Sequence, residues 1–376
     1  MKNFSILFCF LILWGCKNQS EKTTINSEGT PLEIKYASGF SITAYDGFKI
    51  IEVNTPWPKA EKSFTYLLVE DKNKVPENLE YDEKVAIPIK NIVVTSTTHI
   101  PSLETLEEEN SLLGFPNLDY ISSKKTRKLI NQNKIRELGE NEDINTEVLL
   151  ELNPEVVIGF AVKSGNKTFN TIQKSGIPVL YNADWTEENP LGKAEWIKFF
   201  GALYGKDKLA KQTFDRIETE YNKAKKIAKK AQNKPTILSG AMYKDVWYLP
   251  GGNSWQAKLL EEANTNYLYS DNKEKGSLSL SFESVLEKAK NANFWMAPGS
   301  FTTYQQLGDA SAHYKRFEAF KNKKMFTYAG VKGETGGVLF YELAPNRPDL
   351  VLKDLVKIFH PELLQDYETV FLKPLK

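Results

Sequence analysis

Cysteine and histidine are scarce in this chain of 376 residues, and their positions exclude several kinds of chemistry. The two cysteines, Cys9 and Cys16, both lie near the amino terminus. The rest of the chain can therefore form no internal disulfide and carries no thiol for catalysis. The three histidines, His99, His313 and His360, are far apart in the sequence. We therefore expect no metal site built from protein side chains and no cofactor.

The chain also lacks an excess of either charge. Lysine and arginine together number 49 and aspartate and glutamate 48, which leaves a formal net charge of +1. Without a basic stripe or a zinc-finger spacing, we expect no nucleic-acid partner. The glycine-rich phosphate loop, the G-x-S-x-G elbow and the H-E-x-x-H motif are absent as well. The usual sequence signatures of nucleotide-binding proteins, serine hydrolases and metalloproteases are therefore missing.

The hydrophobic run near the amino terminus is too short to span a bilayer. Residues 4–15 read FSILFCFLILWG, about eight residues fewer than a transmembrane helix needs. A short, weakly basic stretch precedes the run, so we interpret residues 1–15 as a secretory signal peptide. The sequence Leu13-Trp14-Gly15-Cys16 resembles the lipobox of bacterial lipoproteins, although tryptophan is unusual at its position.

A lipobox here implies that Cys16 carries the lipid and becomes the first residue of the mature protein. The polar residues that follow predict a flexible, lipidated tether over residues 16–31. The chain would then be an exported lipoprotein, anchored in a lipid bilayer and facing the periplasm, with exposure at the cell surface left open. An ordinary signal peptide with an incidental cysteine is the alternative.

A long amphipathic stretch near the middle of the chain predicts one helix. From Asp207 to Ala231, apolar residues recur at intervals of three and four, and no proline or glycine interrupts them. A helix of this length would extend for roughly 40 Å, too polar on its other faces to lie inside a core. It is either a surface helix of one large α/β domain or a rigid strut between two α/β lobes.

Short apolar strands alternate with helices on both sides of this stretch, which is typical of parallel sheets covered by helices. In the first half, strands are predicted at residues 91–95, 119–121, 156–159 and 179–181. Alternating residues and an Asp46-Gly47 turn predict β-structure before them. We therefore predict an α/β fold: two Rossmann-like lobes joined by one long α-helix, with a β-rich N-terminal extension. The predicted boundaries are an N-terminal lobe with its β-rich leader at 32–184, a linking helical segment at 185–233 and a C-terminal lobe at 234–376.

The two predicted lobes share a short repeated pattern. Glu147-Val-Leu-Leu-Glu151 precedes the strand EVVIG, and Glu283-Ser-Val-Leu-Glu287 precedes the strand NFWMA. In each copy the first glutamate lies in the first turn of a helix, where the positive end of the helix dipole favours a carboxylate. The repeat is explained either by helix stabilisation alone or by a binding role that the two lobes share.

These features together resemble the class III substrate-binding proteins of bacterial ABC importers. The stretch INTEVLLELNPEVVIGF is similar to a characteristic segment of that family, and APNRPDLVLKDLVKIFHPELL is similar to its C-terminal helix. The opening YASGFSITAYDGFKIIEVNTPWP looks like the leader of members from Bacteroidetes. The resemblance covers nearly the whole mature chain, from about residue 32 to residue 364.

The resemblance implies a function and partners. Members of the family bind vitamin B12 (cobalamin), ferric siderophores or haem between two lobes and deliver the ligand to a permease, without chemistry. It further implies that Glu147 and Glu283 dock into arginine pockets on the transmembrane subunits, and that the protein is a monomer. At two aromatic positions of the B12 binder this chain has Asn141 and Ser277, so an iron chelate is at least as strong a candidate as a corrinoid.

A ligand is expected outside the carboxyl ends of the strands. Residues that follow the predicted strands include Ser96, Thr97 and Phe160 as well as several aromatic residues, which suit a large, ring-bearing ligand. The predicted ligand-binding residues are Trp185, Tyr243, Trp247, Trp255, Tyr304 and Arg347. For each, the alternative is packing in the core or a surface role.

Two other classes of function remain open at this point. An exported enzyme could use the same cleft, although the catalytic motifs are missing. A surface adhesion or assembly protein would bind no small ligand and would not depend on Glu147 or Glu283.

Overall fold

The computed structural model describes residues 28–141, 143–163 and 165–376. The predicted signal peptide, Cys16 and most of the predicted tether lie outside these residues. Within the described ranges, no helix combines the length and the apolar character needed to cross a membrane.

The described chain begins with a small sheet of its own. Its strands are β1 (Thr30–Pro31), β2 (Phe40–Tyr45), β3 (Phe48–Val53), β4 (Phe64–Val69) and β5 (Glu83–Ala86), in chain order. The turn at Asp46-Gly47 joins β2 to β3, and Gly47 has the positive φ of 84° that glycine adopts without a steric penalty. The sheet lies against the first lobe, where the Tyr66 hydroxyl accepts the Tyr181 N–H at 2.8 Å. The predicted β-rich extension is therefore confirmed.

The first lobe is a parallel sheet with helices between its strands. The strands are β6 (Ile92–Val94), β7 (Leu112–Phe115), β8 (Arg136–Glu137), β11 (Val156–Gly159) and β12 (Val179–Tyr181), in the order β12-β11-β6-β7-β8. A short hairpin of β9 (Gly139–Glu140) and β10 (Asp143–Ile144) follows β8. The helices are α1 (Ile100–Thr105), α2 (Lys124–Asn131), α3 (Thr146–Leu152) and α4 (Lys167–Lys174). Strands β6 and β11 are buried along their whole length, as expected of a sheet covered on both faces.

One predicted strand is wrong. Residues 118–120 form a single 3₁₀ turn, and the strand of this region is β7, at residues 112–115. Gly114 interrupts the apolar run of β7 and weakens its strand pattern. The chain then reverses at Asn117, whose φ is 59°.

Three helices link the lobes: α5 (Pro190–Glu195), α6 (Ile197–Leu203) and α7 (Asp207–Ala228). Helix α7 ends three residues before the predicted end, and its apolar stripe is buried. The buried residues are Ala210, Thr213, Phe214, Ile217, Tyr221, Ala224 and Ala228. At its start Asp207 pairs with Lys49 of the extension at 2.6 Å, and near its end Lys225 pairs with Glu262 at 2.7 Å. The helix therefore contacts both the extension and the second lobe.

The second lobe has a sheet of β13 (Thr236–Ser239), β16 (Asn266–Tyr267), β18 (Phe294–Met296), β19 (Met325–Thr327) and β20 (Lys373–Pro374), in the order β16-β13-β18-β19-β20. It is parallel except for β20. A separate antiparallel sheet contains β14 (Ala241–Tyr243), β15 (Val246–Pro250) and β17 (Ser277–Leu280). The helices are α8 (Trp255–Glu262), α9 (Phe282–Ala289), α10 (Tyr304–Ala310), α11 (Glu318–Lys321), α12 (Leu339–Leu343) and α13 (Pro348–Phe359).

Two buried carboxylates hold the extension to the linking helices. Glu195 is completely buried and accepts the backbone N–H groups of residues 35–37 at 2.7–3.0 Å. It also pairs with Lys198 at 2.6 Å. Glu187 accepts the N–H groups of residues 38–39 in the same way. A buried charge is stable only when its oxygens have donors, so these contacts fix the extension in place.

We expect Glu195→Ala to lower the free energy of unfolding by about 3–5 kcal/mol, because it removes the carboxylate that pairs with the buried Lys198 ammonium and accepts three backbone N–H groups. Urea unfolding of the two proteins measures this difference. The control is Glu33→Ala, which removes an exposed carboxylate nearby and should cost less than about 1 kcal/mol. Equal losses in the two variants would contradict this account.

Candidate ligand-binding cleft

A cleft of about 510 Å³ opens between the two lobes. The first lobe supplies most of its wall, from the segments that follow the carboxyl ends of β6, β7 and β11, and the second lobe supplies Val338 and Tyr341. The lining residues are Thr95, Ser96, Thr97, Phe115, Pro116, Asn117, Tyr120, Glu140, Asn141, Phe160, Val338 and Tyr341. Its volume is in the range of small-molecule sites, and its place at the ends of parallel strands is where ligands of open α/β sheets bind.

Backbone hydrogen bonds fix the wall of the first lobe. The carboxylate of Glu137, on β8, accepts the N–H groups of Asn117 and Leu118 at 2.8 Å each and that of Gly139 at 2.9 Å. These bonds hold the turn after β7 against the hairpin of β9 and β10. The Thr95 hydroxyl accepts the Phe160 N–H at 3.3 Å and joins the ends of β6 and β11. The wall is therefore held in shape before any ligand arrives.

Aromatic side chains face the cleft from both lobes. Tyr120 of the first lobe is 62% exposed and Tyr341 of the second lobe is 58% exposed. The Tyr341 hydroxyl donates to the Tyr328 hydroxyl at 3.3 Å, and the Tyr328 ring stacks on Phe340 at 4.3 Å. Large exposed aromatic faces at the mouth of a cleft are suited to contact with an apolar or ring-bearing ligand.

Polar contacts between the lobes lie beside the cleft. Glu342 of α12 is buried and accepts the N–H groups of Ser122 and Ser123, at 2.5 and 3.0 Å, where α2 begins. Asn346 donates to the Thr98 carbonyl at 2.8 Å, and the Thr335 hydroxyl donates to the Asp119 carbonyl at 2.7 Å. These contacts set the distance between the lobes.

The loop at residues 333–337 takes part in this contact. A Cβ atom added to Gly337 would lie 2.7 Å from the Ser122 hydroxyl and 2.8 Å from the Tyr120 carbonyl oxygen. Only glycine leaves room for so close an approach. The loop therefore packs tightly on the first lobe.

Ser96, Thr97 and Phe160, which follow predicted strands, do line the cleft. Trp247 does not line the cleft, and the prediction that it is a ligand-binding residue is wrong. Its side chain is completely buried, stacks on Trp295 at 5.2 Å and donates its indole N–H to the Ser239 carbonyl. It points into the core because it lies on the inner face of β15.

The other predicted ligand-binding residues lie outside the lining of this cleft. Trp185 and Trp255 come together around Lys193, whose ammonium donates to the Trp185 carbonyl at 3.0 Å and lies 5.4 Å from the centre of the Trp255 ring. Tyr243 is 68% exposed on β14 and is not among the lining residues.

Tyr304 and Arg347 make contacts within the second lobe. The Tyr304 hydroxyl accepts the Met325 N–H at 3.3 Å, and its ring packs edge-on against Phe320. Arg347 makes two 2.8 Å hydrogen bonds to Asp349 at the start of α13. These contacts point to packing and helix stabilisation.

Several cleft residues were not predicted. Phe115 ends the strand that the sequence pattern misplaces, and Tyr120 lies in the turn that was predicted as that strand. Tyr341 comes from a helix of the other lobe, so no strand-end signal marks it. Glu140 lies on a two-residue strand, too short to show a pattern. Correct assignment of β7 would have indicated Phe115.

The two repeated glutamates occupy equivalent positions. Glu147 is the second residue of α3, after the capping residue Asn145, and Glu283 is the second residue of α9, after the capping residue Ser281. Both side chains are exposed. Each carboxylate is therefore presented to solvent at the positive end of its helix.

Burial raises the pKa of Glu342 from 4.5 to about 7, and the nearby Glu104 carboxylate acts in the same direction. A raised pKa means that the folded protein holds this proton more tightly than the unfolded chain does. The contribution of Glu342 to stability is therefore complete below about pH 4.5 and is lost as the pH rises through about 7.

The glutamine side chain stays neutral at every pH. We therefore expect the unfolding free energy of Glu342→Gln, measured relative to that of the wild type, to rise by about 3 kcal/mol from pH 4.5 to pH 8. Urea unfolding at both pH values measures the change. Glu334→Gln, which removes an exposed carboxylate from the loop before α12, is the control and should change the unfolding free energy by less than about 1 kcal/mol at either pH. If the difference in unfolding free energy between Glu342→Gln and the wild type does not vary with pH, the pKa of Glu342 is not raised.

Similar proteins were found by sequence and by structure. The uncharacterized lipoprotein MJ0878 of Methanocaldococcus jannaschii is 27% identical over 309 residues, which are 80% of this chain and 71% of the relative. A periplasmic haem-binding protein from Pseudomonas aeruginosa superimposes with a TM-score of 0.57 at 16% identity, over 77% of this chain and 98% of its own. A siderophore-binding protein from Vibrio cholerae, solved with Fe³⁺-Desferal, superimposes with a TM-score of 0.51 at 15% identity, over 71% of this chain and 98% of its own. At these identities the two structures show a shared fold.

The family assignment comes from a sequence model described as periplasmic binding protein, which matches residues 92–330. The match begins at β6 and includes the first lobe, the linking helices and most of the second lobe. The extension of β1 to β5 precedes it. Because the match covers more than half of the chain, the protein belongs to the periplasmic binding protein family.

Proposed function

We propose that the protein is the substrate-binding lipoprotein of an ABC importer. It captures an iron complex, either a siderophore or haem, or a cobalamin in the cleft between its lobes, and it delivers the ligand to the membrane permease. One observation carries the proposal: a cleft between two lobes, at the carboxyl ends of parallel strands, lined by aromatic and polar side chains in a periplasmic binding protein. Relatives of this fold include proteins described as binding haem and a ferric siderophore.

The lining supports capture rather than catalysis. Among the described residues of the cleft, the side chains are hydroxyl, amide, aromatic and apolar groups and the carboxylate of Glu140. A hydroxyl needs an adjacent base to act as a nucleophile; histidine does not occur in the described lining, and none of the described hydrogen bonds joins Glu140 to a lining hydroxyl. The groups present can stack on a ligand, donate to it and accept from it. They thus supply the contacts that binding needs.

Delivery would use the two repeated glutamates. Glu147 and Glu283 lie on different lobes, at the same position of their helices and exposed to solvent. An exposed carboxylate can form a bidentate pair with arginine, and two of them on separate lobes would fix the orientation of the whole protein on its partner. The lipid on Cys16 would keep the protein at the membrane that holds the permease.

The binding function is tested by thermal unfolding of residues 31–376 with cobalamin, haem and several ferric siderophores. A ligand present at 100 times its dissociation constant should stabilise the protein by about 2.7 kcal/mol, which is a shift of a few degrees. For the ligand that binds, Tyr120→Ala and Tyr341→Ala should each weaken affinity about fivefold, since an aromatic contact contributes roughly 1 kcal/mol.

Tyr81→Ala is the control for these two variants, because Tyr81 is also an exposed tyrosine but lies in the extension. Unchanged affinity in both cleft variants would place the ligand elsewhere. A folded protein that responds to none of the chelates would favour an adhesion or assembly role.

The docking function is tested in proteoliposomes that contain the cognate permease. We expect the double variant Glu147→Lys, Glu283→Lys to lose stimulation of ATP hydrolysis by at least about tenfold, because each substitution places a like charge opposite an arginine. Binding of the ligand by the free protein should not change.

The matched control is Glu151→Lys, Glu287→Lys, which alters exposed carboxylates four residues further along the same helices. Equal loss in the two double variants would indicate a general charge effect and would remove the docking role.

A further inference from the structure

The charged side chains of the cleft indicate which class of ligand it binds. This inference rests on the function proposed above. Glu140 is the single charged side chain among the described lining residues, and none of these residues is a lysine or an arginine. Ligands with several negative charges are usually held by such cations. The described wall of this cleft presents a carboxylate to such ligands instead of a cation.

A second carboxylate lies directly across from Glu140. In the hairpin of β9 and β10, Glu140 is paired with Asp143, and both side chains are exposed. Like charges in opposite positions of a hairpin repel one another. A positive charge on the ligand would relieve this repulsion, whereas a negative charge would add to it.

The uncharged groups of the cleft favour the same kind of ligand. The Oδ1 atom of Asn141 is buried and has no hydrogen-bond partner. A buried acceptor without a donor is costly, so a ligand that brings an N–H group to this atom gains affinity. The exposed rings of Tyr120 and Tyr341 add two electron-rich faces, which attract cations at short range.

We propose that the cleft selects neutral or cationic chelates that carry N–H donors, and that Glu140 and Asn141 determine this selection. A ferric tris-hydroxamate with a protonated amine has this chemistry. Haem, with two carboxylates, and ferric tris-catecholates, with three negative charges, have the opposite charge.

The test uses three ferric chelates that differ in one end group, which is cationic, neutral or anionic. The parent is a linear tris-hydroxamate with a terminal ammonium; acetylation makes that end neutral, and succinylation makes it anionic. Titration calorimetry at pH 7.5 and low salt measures each dissociation constant for the wild type, Glu140→Gln and Asn141→Leu. Glu287→Gln, an exposed carboxylate outside the cleft, is the matched control.

We expect the wild type to bind the cationic chelate best, the neutral chelate less well and the anionic chelate worst. Each step should raise the dissociation constant about two- to fivefold, as for partly exposed ion pairs. Glu140→Gln should remove most of this preference. Asn141→Leu should weaken binding of all three chelates, because the ammonium and both amides bring an N–H group, and Glu287→Gln should behave as the wild type.

The outcomes distinguish a failure of the charge selection from a failure of the proposed binding function. Equal or tighter binding of the anionic chelate, or a preference that survives in Glu140→Gln, overturns the charge selection and leaves the binding function standing. If no chelate of any charge binds, including haem and cobalamin, the proposed function falls and the charge selection falls with it.

Discussion

The contact between Glu342 and the start of α2 determines how the two lobes are placed. Its carboxyl group crosses from the second lobe to two N–H groups of the first, and it is buried. Tyr341, the next residue, is one of the two cleft residues that the second lobe supplies. A shift of this contact would move Tyr341 relative to the wall that holds Tyr120, so the width of the cleft depends on it.

The rest of the molecule restricts where such a shift can occur. The extension is fixed to the linking helices by two buried carboxylates, and α7 pairs with the extension at its start and with the second lobe near its end. Buried charged contacts and a packed helix have few alternative arrangements of similar energy. The contacts between α12 and the first lobe lie beside the cleft. We therefore expect motion between the lobes at these contacts, and we expect its amplitude to be small.

The cleft is suited to recognition by shape, stacking and weak electrostatics. Its first-lobe wall is fixed in advance by Glu137, which lowers the entropy cost of binding. Stacking on tyrosine tolerates variation in the ligand, whereas hydrogen bonds and charge discriminate between ligands of similar size. Hydrogen bonds and charge are therefore the properties through which a site of this kind can discriminate between ligands of similar size.

Local patterns predicted much of the fold. The periodic stripe of α7, the Asp46-Gly47 turn and the helices at 124–131 and 146–152 follow from interactions between residues a few positions apart, and all are present. The strand ends at Ser96, Thr97 and Phe160 indicated part of the cleft for the same reason: a parallel sheet brings the ends of its strands to one edge.

What the sequence by itself determined about this protein is its class, namely two α/β lobes, a long helix and a β-rich extension. Tertiary structure alone decided which aromatic side chains face the cleft. Trp247 and Tyr248 are neighbours in β15, yet the first is buried and the second is 42% exposed, because alternate residues of a strand face opposite sides. Tyr341 lines the same cleft as Tyr120 because of contacts between residues more than 200 positions apart, and no local pattern carries that information.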